Sequence, residues 1–394
     1  MKNILIVETG RPAPSGAFGG SVKSIFQLIE KIDKSKFRLF YYSKYSIDLV
    51  NLKLESYNII NLTNKVSISH VNRFSFKKYL PDFFKRSIIY NYLYFLSNKN
   101  FVNRLIKLIS ENQIDIVHGN DRFTANIHVI KSAKLSGVRY IQHQRKFEDK
   151  IPFYFHKYLN YPTEYIAISE AIKSNLKFRL RIGEDKIKLI HNWINLDLNE
   201  NFHTNIKSKH SLNILWIGRI IPWKGIDVLI DFSNELINRK KMNFKFQIYG
   251  DFMDKKYQIK IFNTISKYKL NNYFIFNGFD SLKNIFSENY FCLIHTSKQP
   301  EPFGRTIIES MTHKIPVIAT NAGGVPDIIK DNFNGFLYDP ENIEQLIKKI
   351  NLLTNMTIRT RIEKNAFETI IKKFAGKSQV KQFEEIYNNG KTNT

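Results

Sequence analysis

A single cysteine, a shortage of acidic side chains and the lack of any long apolar run exclude several classes of protein at once. Cys292 has no intramolecular partner, so a disulfide framework is ruled out and a reducing compartment fits; within YFCLIHT it reads as core. The most apolar stretch, residues 88–96 (IIYNYLYFL), is broken by Asn91 and falls well short of the ~18–20 residues that a membrane span needs. The opening MKNILIVETG places only four apolar residues in a row before Glu8, too few for a secretory signal. The expected location is therefore the cytoplasm, including the inner face of its membrane. No Asp-x-Asp occurs and the histidines are scattered, so no metal site is expected. Asp plus Glu number 35 against 60 Lys plus Arg, a net charge of +25. Such a surplus favours polyanions: nucleic acid, anionic lipid or phosphorylated small molecules. It fits a biased Lys-, Asn- and Ile-rich composition equally well. With no zinc spacing and no RNA-binding motif, nucleic acid is not the expected partner.

What is present points to two packed domains. The length, 394 residues with 43% hydrophobic and 14% aromatic side chains, exceeds one ordinary core. Short β-branched or aromatic runs alternate with longer amphipathic segments, the βαβ pattern of parallel sheets. Strands are expected at 3–7, 37–42, 114–118, 138–142, 165–169 and 188–191, then at 213–217, 245–249, 273–276, 291–295, 317–320 and 335–338. These make an α/β protein of two Rossmann-like, doubly wound sheets facing across a cleft. The polar segment 195–212 divides the chain into domains at 1–200 and 201–394. Helices at 357–373 and 378–388 read as packing elements, the last returning to the amino-terminal domain, and the tail NNGKTNT reads as frayed. Between Lys65 and Ser110, nine basic residues against one acid interleave with aromatics. That mixture suits an anionic membrane surface, or a solvated helical face with its aromatics in the core.

Ligands of open α/β sheets bind where strands end and helix N-termini begin. Four such junctions carry suggestive residues. Gly16, Gly19 and Gly20 follow the first strand, although neither G-x-G-x-x-G nor a P-loop is present. Gly218 and Arg219 end the strand ILWI, and Lys224-Gly225 open the next helix, so two cations stand ready for a diphosphate. In PEPFGRTIIES, Glu301 precedes a helix and Glu309 lies in its second turn. Eight helical residues span roughly 12 Å, wider than the ~5–9.5 Å of a glycosidase pair, so the two carboxylates read as separate grips on an elongated ligand. Gly323-Gly324 form a further close-approach loop.

Taken in order, Gly218-Arg219 with Lys224-Gly225, then Glu301-Pro302-Phe303-Gly304 with Glu309, then Gly323-Gly324-Val325-Pro326 resemble the retaining GT-B glycosyltransferases of family 4, with its E-x7-E element. The resemblance covers nearly the whole chain and is weakest at about 45–110. It implies that Arg219 and Lys224 bind the donor diphosphate, that Glu309 holds the ribose, and that Glu301 contacts the transferred sugar. It also implies that the Phe303 and Gly304 amides complete the phosphate site, that Gly250 and Gly278 lie along the base, that Gly19 and Gly20 face the phosphates, and that His143 approaches the sugar. The co-substrate is then a nucleotide-sugar of UDP or GDP type, with no cofactor, and the acceptor a glycan, lipid-linked, in surface polysaccharide assembly. His118 matches a family position but reads as structural. Two departures stand out: Phe252 replaces a frequent glycine, and Asp327 a usual glutamate. A phosphorylase or epimerase on the same fold, and a non-catalytic sugar- or nucleotide-binding protein, use similar grips and stay open at this stage.

Overall fold

The computed structural model describes residues 1–10, 19–43, 59–62, 98–196, 213–240 and 244–389. Gly16, residues 65–97 of the basic aromatic stretch, residues 197–212 of the interdomain segment and the end of the tail lie outside the described residues. By contacts the chain forms two units, one of residues 1–191 with 377–394, the other of residues 192–376.

The first unit contains β1 (Lys2–Glu8), α1 (Gly20–Lys31), β2 (Phe37–Ser43), β3 (Ile60–Asn61), α2 (Lys99–Glu111), β4 (Ile116–Asp121), α3 (Ile127–Leu135), β5 (Arg139–Gln144), β6 (Glu164–Ala167), α4 (Glu170–Ser174) and β7 (Ile187–Leu189). All pairings are parallel, in the order β3-β2-β1-β4-β5-β6-β7. Helices cover such a sheet on both faces, so its strands read as continuous apolar runs: Ile4, Leu5, Ile6 and Val7 are all buried. In α1, Val22, Ile25, Phe26 and Ile29 recur at helical spacing and turn one stripe into the core.

The second unit contains β8 (Asn213–Ile217), α5 (Ile226–Lys240), β9 (Lys245–Tyr249), α6 (Lys255–Lys267), β10 (Phe274–Gly278), α7 (Leu282–Ile285), β11 (Cys292–His295), α8 (Arg305–Thr312), β12 (Val317–Thr320), α9 (Val325–Ile328), β13 (Phe336–Tyr338), α10 (Ile343–Leu353) and α11 (Met356–Lys373). Its sheet runs β10-β9-β8-β11-β12-β13, also parallel. Cys292 lies in this core, and burial pushes its thiol up to about 12. Each sheet reverses its winding once, at β1/β4 and at β8/β11, the places where doubly wound sheets bind ligands. Among the described residues, no helix is long and apolar enough to cross a membrane.

One strand differs from its sequence-based bounds in an informative way. β4 starts at Ile116, two residues later than expected, because the Ile114 N–H closes the preceding helix on the Ile109 carbonyl and the Asp115 N–H bonds to Asn3. It then continues through Gly119-Asn120-Asp121, where Gly119 and Asn120 pair with Val7 and Glu8 on one side and all three pair with Gln142, His143 and Gln144 on the other.

The last helix, α12 (Lys377–Asn389), belongs to the first unit. Phe383 and Tyr387 are fully buried there. Lys2 Nζ donates to the Tyr387 and Asn388 carbonyls at 2.9 Å, and Arg139 Nη2 to Ile386 O at 2.7 Å. Cations thus satisfy the carbonyls left over at a helix C-terminus, where the dipole favours positive charge.

Candidate functional site

In the second unit, three strand ends meet through backbone and side-chain bonds. After β11, Thr296 Oγ1 accepts from Trp216 Nε1 and donates to the Lys224 carbonyl, each at 3.0 Å, and the Lys298 N–H bonds to Trp223 O at 2.8 Å. This stitches the β8 loop to the β11 loop. After β12, Gly324 N donates to Glu301 O at 2.7 Å, and Gly323 pairs with Glu301 as an isolated bridge. The result is that Lys224 and Glu301 meet as an ion pair.

The bonding of Glu301 is one-sided. Lys224 Nζ, Ser297 Oγ (3.2 Å) and His295 Nε2 (3.5 Å) all converge on Oε2, while no bond to Oε1 occurs among the described residues. Burial by itself raises a carboxyl, but Lys224 and His295 outweigh it and hold Glu301 well below the usual carboxylate range. The group is a fixed anion with one oxygen open. Lys224 also lies 4.4 Å from the Trp223 ring centroid, a cation–π contact that further orients it.

The other residues expected at this site are distributed around it. Arg219 is exposed and has no ion pair or hydrogen bond among the described residues, so of the two expected cations one is tied and one is free. Glu309 is buried and bonds to Arg305 at 3.0 Å, one helical turn back. The two glutamates therefore hold separate partners. Gly304 caps α8 with no side chain closing that end, and the Phe303 ring anchors the loop edge-on against Phe374. Gly218, Gly250 and Gly278 form a row at the ends of β8, β9 and β10: Gly218 N bonds to Tyr249 O at 3.0 Å, and Gly250 N to Gly278 O at 2.7 Å. Phe252 packs with Phe262 and Phe276, ring centroids 5.6 Å apart in both pairs. Asp327 lies in the first turn of α9.

Gly19, Gly20 and His143 belong to the first unit. Gly19 precedes α1 with open space around its Cα, and Gly20 is exposed. His143 is 1% exposed, with its ring centroid 5.3 Å from that of Phe383. Its Nδ1 lies 3.1 Å from His118 Nε2, and His118 Nδ1 lies 2.6 Å from the Tyr387 hydroxyl.

Sequence reasoning missed several residues. His295 reads as the end of an apolar strand and Ser297 as part of the loop that follows, although a histidine directly before a junction was the available signal. In the first unit, Glu8, Asn120 and His143 are neighbours in register at the ends of β1, β4 and β5, a row visible only once the strands are paired. Glu8 accepts from the Asn120 amide and from Gly10 N at 2.8 Å, and Arg145 Nε donates to Asn120 Oδ1 at 2.7 Å.

Burial, reinforced by Asp121, pushes the Glu8 carboxyl up to about 7, and burial does the same to Glu148. Both folded values exceed the unfolded ones, so the stability they contribute is fully present below about pH 4.5 and is lost as pH rises through about 7, on the order of 3 kcal/mol for a shift of this size. Unfolding followed from pH 5 to 8 is expected to show a declining stability. The decline is shallower in Glu8→Gln; an unchanged slope in that variant rules out Glu8 as its source.

Comparison with known proteins places this geometry. Residues 199–369 match the "Glycosyl transferases group 1" family and residues 70–198 match "Glycosyltransferase Family 4". The chain is 28% identical over 297 residues to the poly(ribitol-phosphate) alpha-N-acetylglucosaminyltransferase of Staphylococcus aureus, covering 73% of this chain and 57% of that protein. It is 24% identical to the Staphylococcus aureus capsular polysaccharide biosynthesis glycosyltransferase CapM, covering 57% and 61%. The chain thus spans about three fifths of the length of these two relatives. The crystal structure of Anabaena HepE with UDP-glucose superposes with a TM-score of 0.75 at 20% identity, over 99% of this chain and 100% of that one.

Proposed function

The chain belongs to the GT-B glycosyltransferases of the group 1 and family 4 type, and from that premise we propose that it moves a sugar from a nucleotide-sugar to an acceptor hydroxyl. The observation that carries this reading is the Glu301 carboxylate, locked through Oε2 with Oε1 open. A fixed acceptor oxygen at a strand end suits the hydroxyls of a sugar, which are hydrogen-bond donors.

The bond that breaks joins the anomeric carbon to a phosphate oxygen, so negative charge builds on the departing diphosphate. Preorganised positive charge stabilises that change without reorganisation. Lys224 and Arg219, the latter without an ion pair among the described residues, supply it, together with the N-terminus of α8. In the retaining course we propose, the acceptor oxygen forms its bond on the face that the phosphate leaves, and its proton passes to the departing phosphate oxygen. Neither a protein nucleophile nor a metal enters this scheme. Glu309, braced by Arg305, takes the ribose hydroxyls. The donor is a UDP- or GDP-sugar, and the UDP-glucose held by HepE favours the first. The names of the two Staphylococcus relatives favour a surface-polymer acceptor, which we take to be lipid-linked at the cytoplasmic face of the membrane. The surplus of 25 positive charges suits a phosphate-bearing glycan.

The test is donor binding and slow hydrolysis across UDP-, GDP- and ADP-sugars, with inorganic phosphate added in a parallel arm. One donor bound and hydrolysed supports the transferase. Sugar phosphate formed only when phosphate is present points to a phosphorylase, and no binding at all ends the proposal. Glu309→Gln is expected to raise KM for the donor by about tenfold with kcat little changed, the signature of binding lost equally in ground and transition states. Full activity in that variant excludes the ribose role.

A further inference from the structure

The chain Tyr387–His118–His143 ends in a loose end. All three side chains are at most 1% exposed. The hydroxyl of Tyr387 meets His118 Nδ1, and His118 Nε2 meets His143 Nδ1. His143 Nε2 is buried and has no hydrogen-bond partner among the described residues.

Proton counting separates two arrangements. Burial, and then the nearby Arg145 charge, lowers His118 to about 3 and His143 well below its ordinary value, so each ring is neutral and carries one proton. In the first arrangement the tyrosine donates to His118 Nδ1, His118 Nε2–H donates to His143 Nδ1, and His143 is left with an Nε2–H. One buried donor is unmet. In the second, every bond reverses: His118 Nδ1–H donates to the tyrosine oxygen, and His143 Nδ1–H donates to His118 Nε2. The tyrosine proton then needs another acceptor, and the described residues provide none. Both that proton and the bare His143 Nε2 are left unpaired. Each unmet buried polar group costs about 1–3 kcal/mol, so the first arrangement is favoured.

We propose that Tyr387 and His118 are positioning residues that hold His143 as its Nε2–H tautomer, so that this imidazole offers a hydrogen-bond donor, and not a base, to an oxygen of the sugar handled at the carboxyl edge of the first sheet. The sugar in that statement rests on the transferase reading; the proton arrangement does not. His143 is the next-to-last residue of β5 and lies in register with Asn120 and Glu8 at the winding reversal of the sheet, where such a donor is of use. The tyrosine comes from α12, so the proton order of the row is set by a helix that stands apart from it in sequence.

The test is long-range proton–nitrogen NMR on the full chain labelled with nitrogen-15 at histidine, His143 being assigned by its loss in His143→Gln. The expected wild-type spectrum shows His143 and His118 both protonated at Nε2. Tyr387→Phe, which keeps the ring and removes the hydroxyl, is expected to mix the His118 and His143 tautomers and to lower kcat about tenfold, the scale at which support to a working histidine is felt elsewhere, with KM for the donor moving less than twofold. An Nδ1–H His143 in the wild type overturns the proposal, and that spectrum needs no variant to fold. An Nε2–H signal that shifts on adding the hydrolysed UDP-sugar supports it in full. A signal unmoved by a sugar that is nonetheless turned over removes the role toward the sugar. Failure of the wild type to bind any UDP- or GDP-sugar strikes the transferase reading and leaves the tautomer standing.

Discussion

Lys224→Ala is expected to lose both donor turnover and several kcal/mol of stability, and the two losses separate in a double variant. Lys224 and Glu301 are only 17% and 14% exposed and form one ion pair. Removing one member of a buried pair leaves the other uncompensated, typically at about 3–5 kcal/mol. His295 and Ser297 remain on Oε2, which places the expected loss near the lower end. Chemical denaturation measures it. Adding Glu301→Gln to Lys224→Ala removes the stranded charge and is expected to restore most of the stability. It restores none of the turnover, which falls by about 100- to 1000-fold when a preorganised charge at a developing anion is lost.

The pH dependence gives an independent check. In the wild type Glu301 titrates below its unfolded value, so its contribution is present above about pH 4.5 and disappears as pH falls further. In Lys224→Ala burial is opposed by His295 without the lysine, so the folded value rises and the loss of stability below about pH 4.5 shrinks. A variant whose stability follows the wild-type pH profile in parallel would show that the pair is not coupled.

The second large effect is expected at Gly323. Its φ of +65° lies in the left-handed region, and an added Cβ would stand 2.2 Å from Glu301 O and 2.6 Å from Glu301 N. Neither is a flexible side-chain end, so the backbone carrying Glu301 has to move. Gly323→Ala is expected to cost about 2–4 kcal/mol, combining left-handed strain with a clash. Turnover falls at least about 100-fold, the usual consequence of displacing a contact group by an ångström. Gly278→Ala is the control: its φ is +68°, but its Cβ meets nothing within 4 Å, so only the conformational cost of about 1–2 kcal/mol is expected. Equal losses in the two variants would sink the argument that Gly323 makes room for Glu301.

The contrast shows what the sequence could and could not convey. The strands were legible because parallel strands buried on both faces leave uninterrupted apolar runs, and Lys224, Glu301 and Gly323 because glycines and charges clustered at the breaks between them. The purpose of Gly323 was not legible. It reads as a close-approach loop at a ligand site, whereas the group it admits is the backbone of Glu301. Nor could spacing reveal that Lys224 pairs with Glu301 while Arg219 has no ion pair among the described residues, because that depends on which loops the strand order makes adjacent. Glu8 lies more than a hundred residues before Asn120 and His143, and the three become a row through register alone. His295 looked like strand because it is strand; its imidazole turns toward Glu301 only because β11 ends beside the β8 loop.

The first unit is assembled from two stretches of the chain, with the 185 residues of the second unit, 192–376, between them. On a ribosome adding about 5–20 residues per second, residues 1–191 wait roughly 10–40 s before α12 is made. Until then Lys2, Arg139 and His118 have no helix to bond, and the seats of Phe383 and Tyr387 are open. A chain stopped early can complete its second unit but never close its first. A protease would meet that molecule with its apolar seats still uncovered.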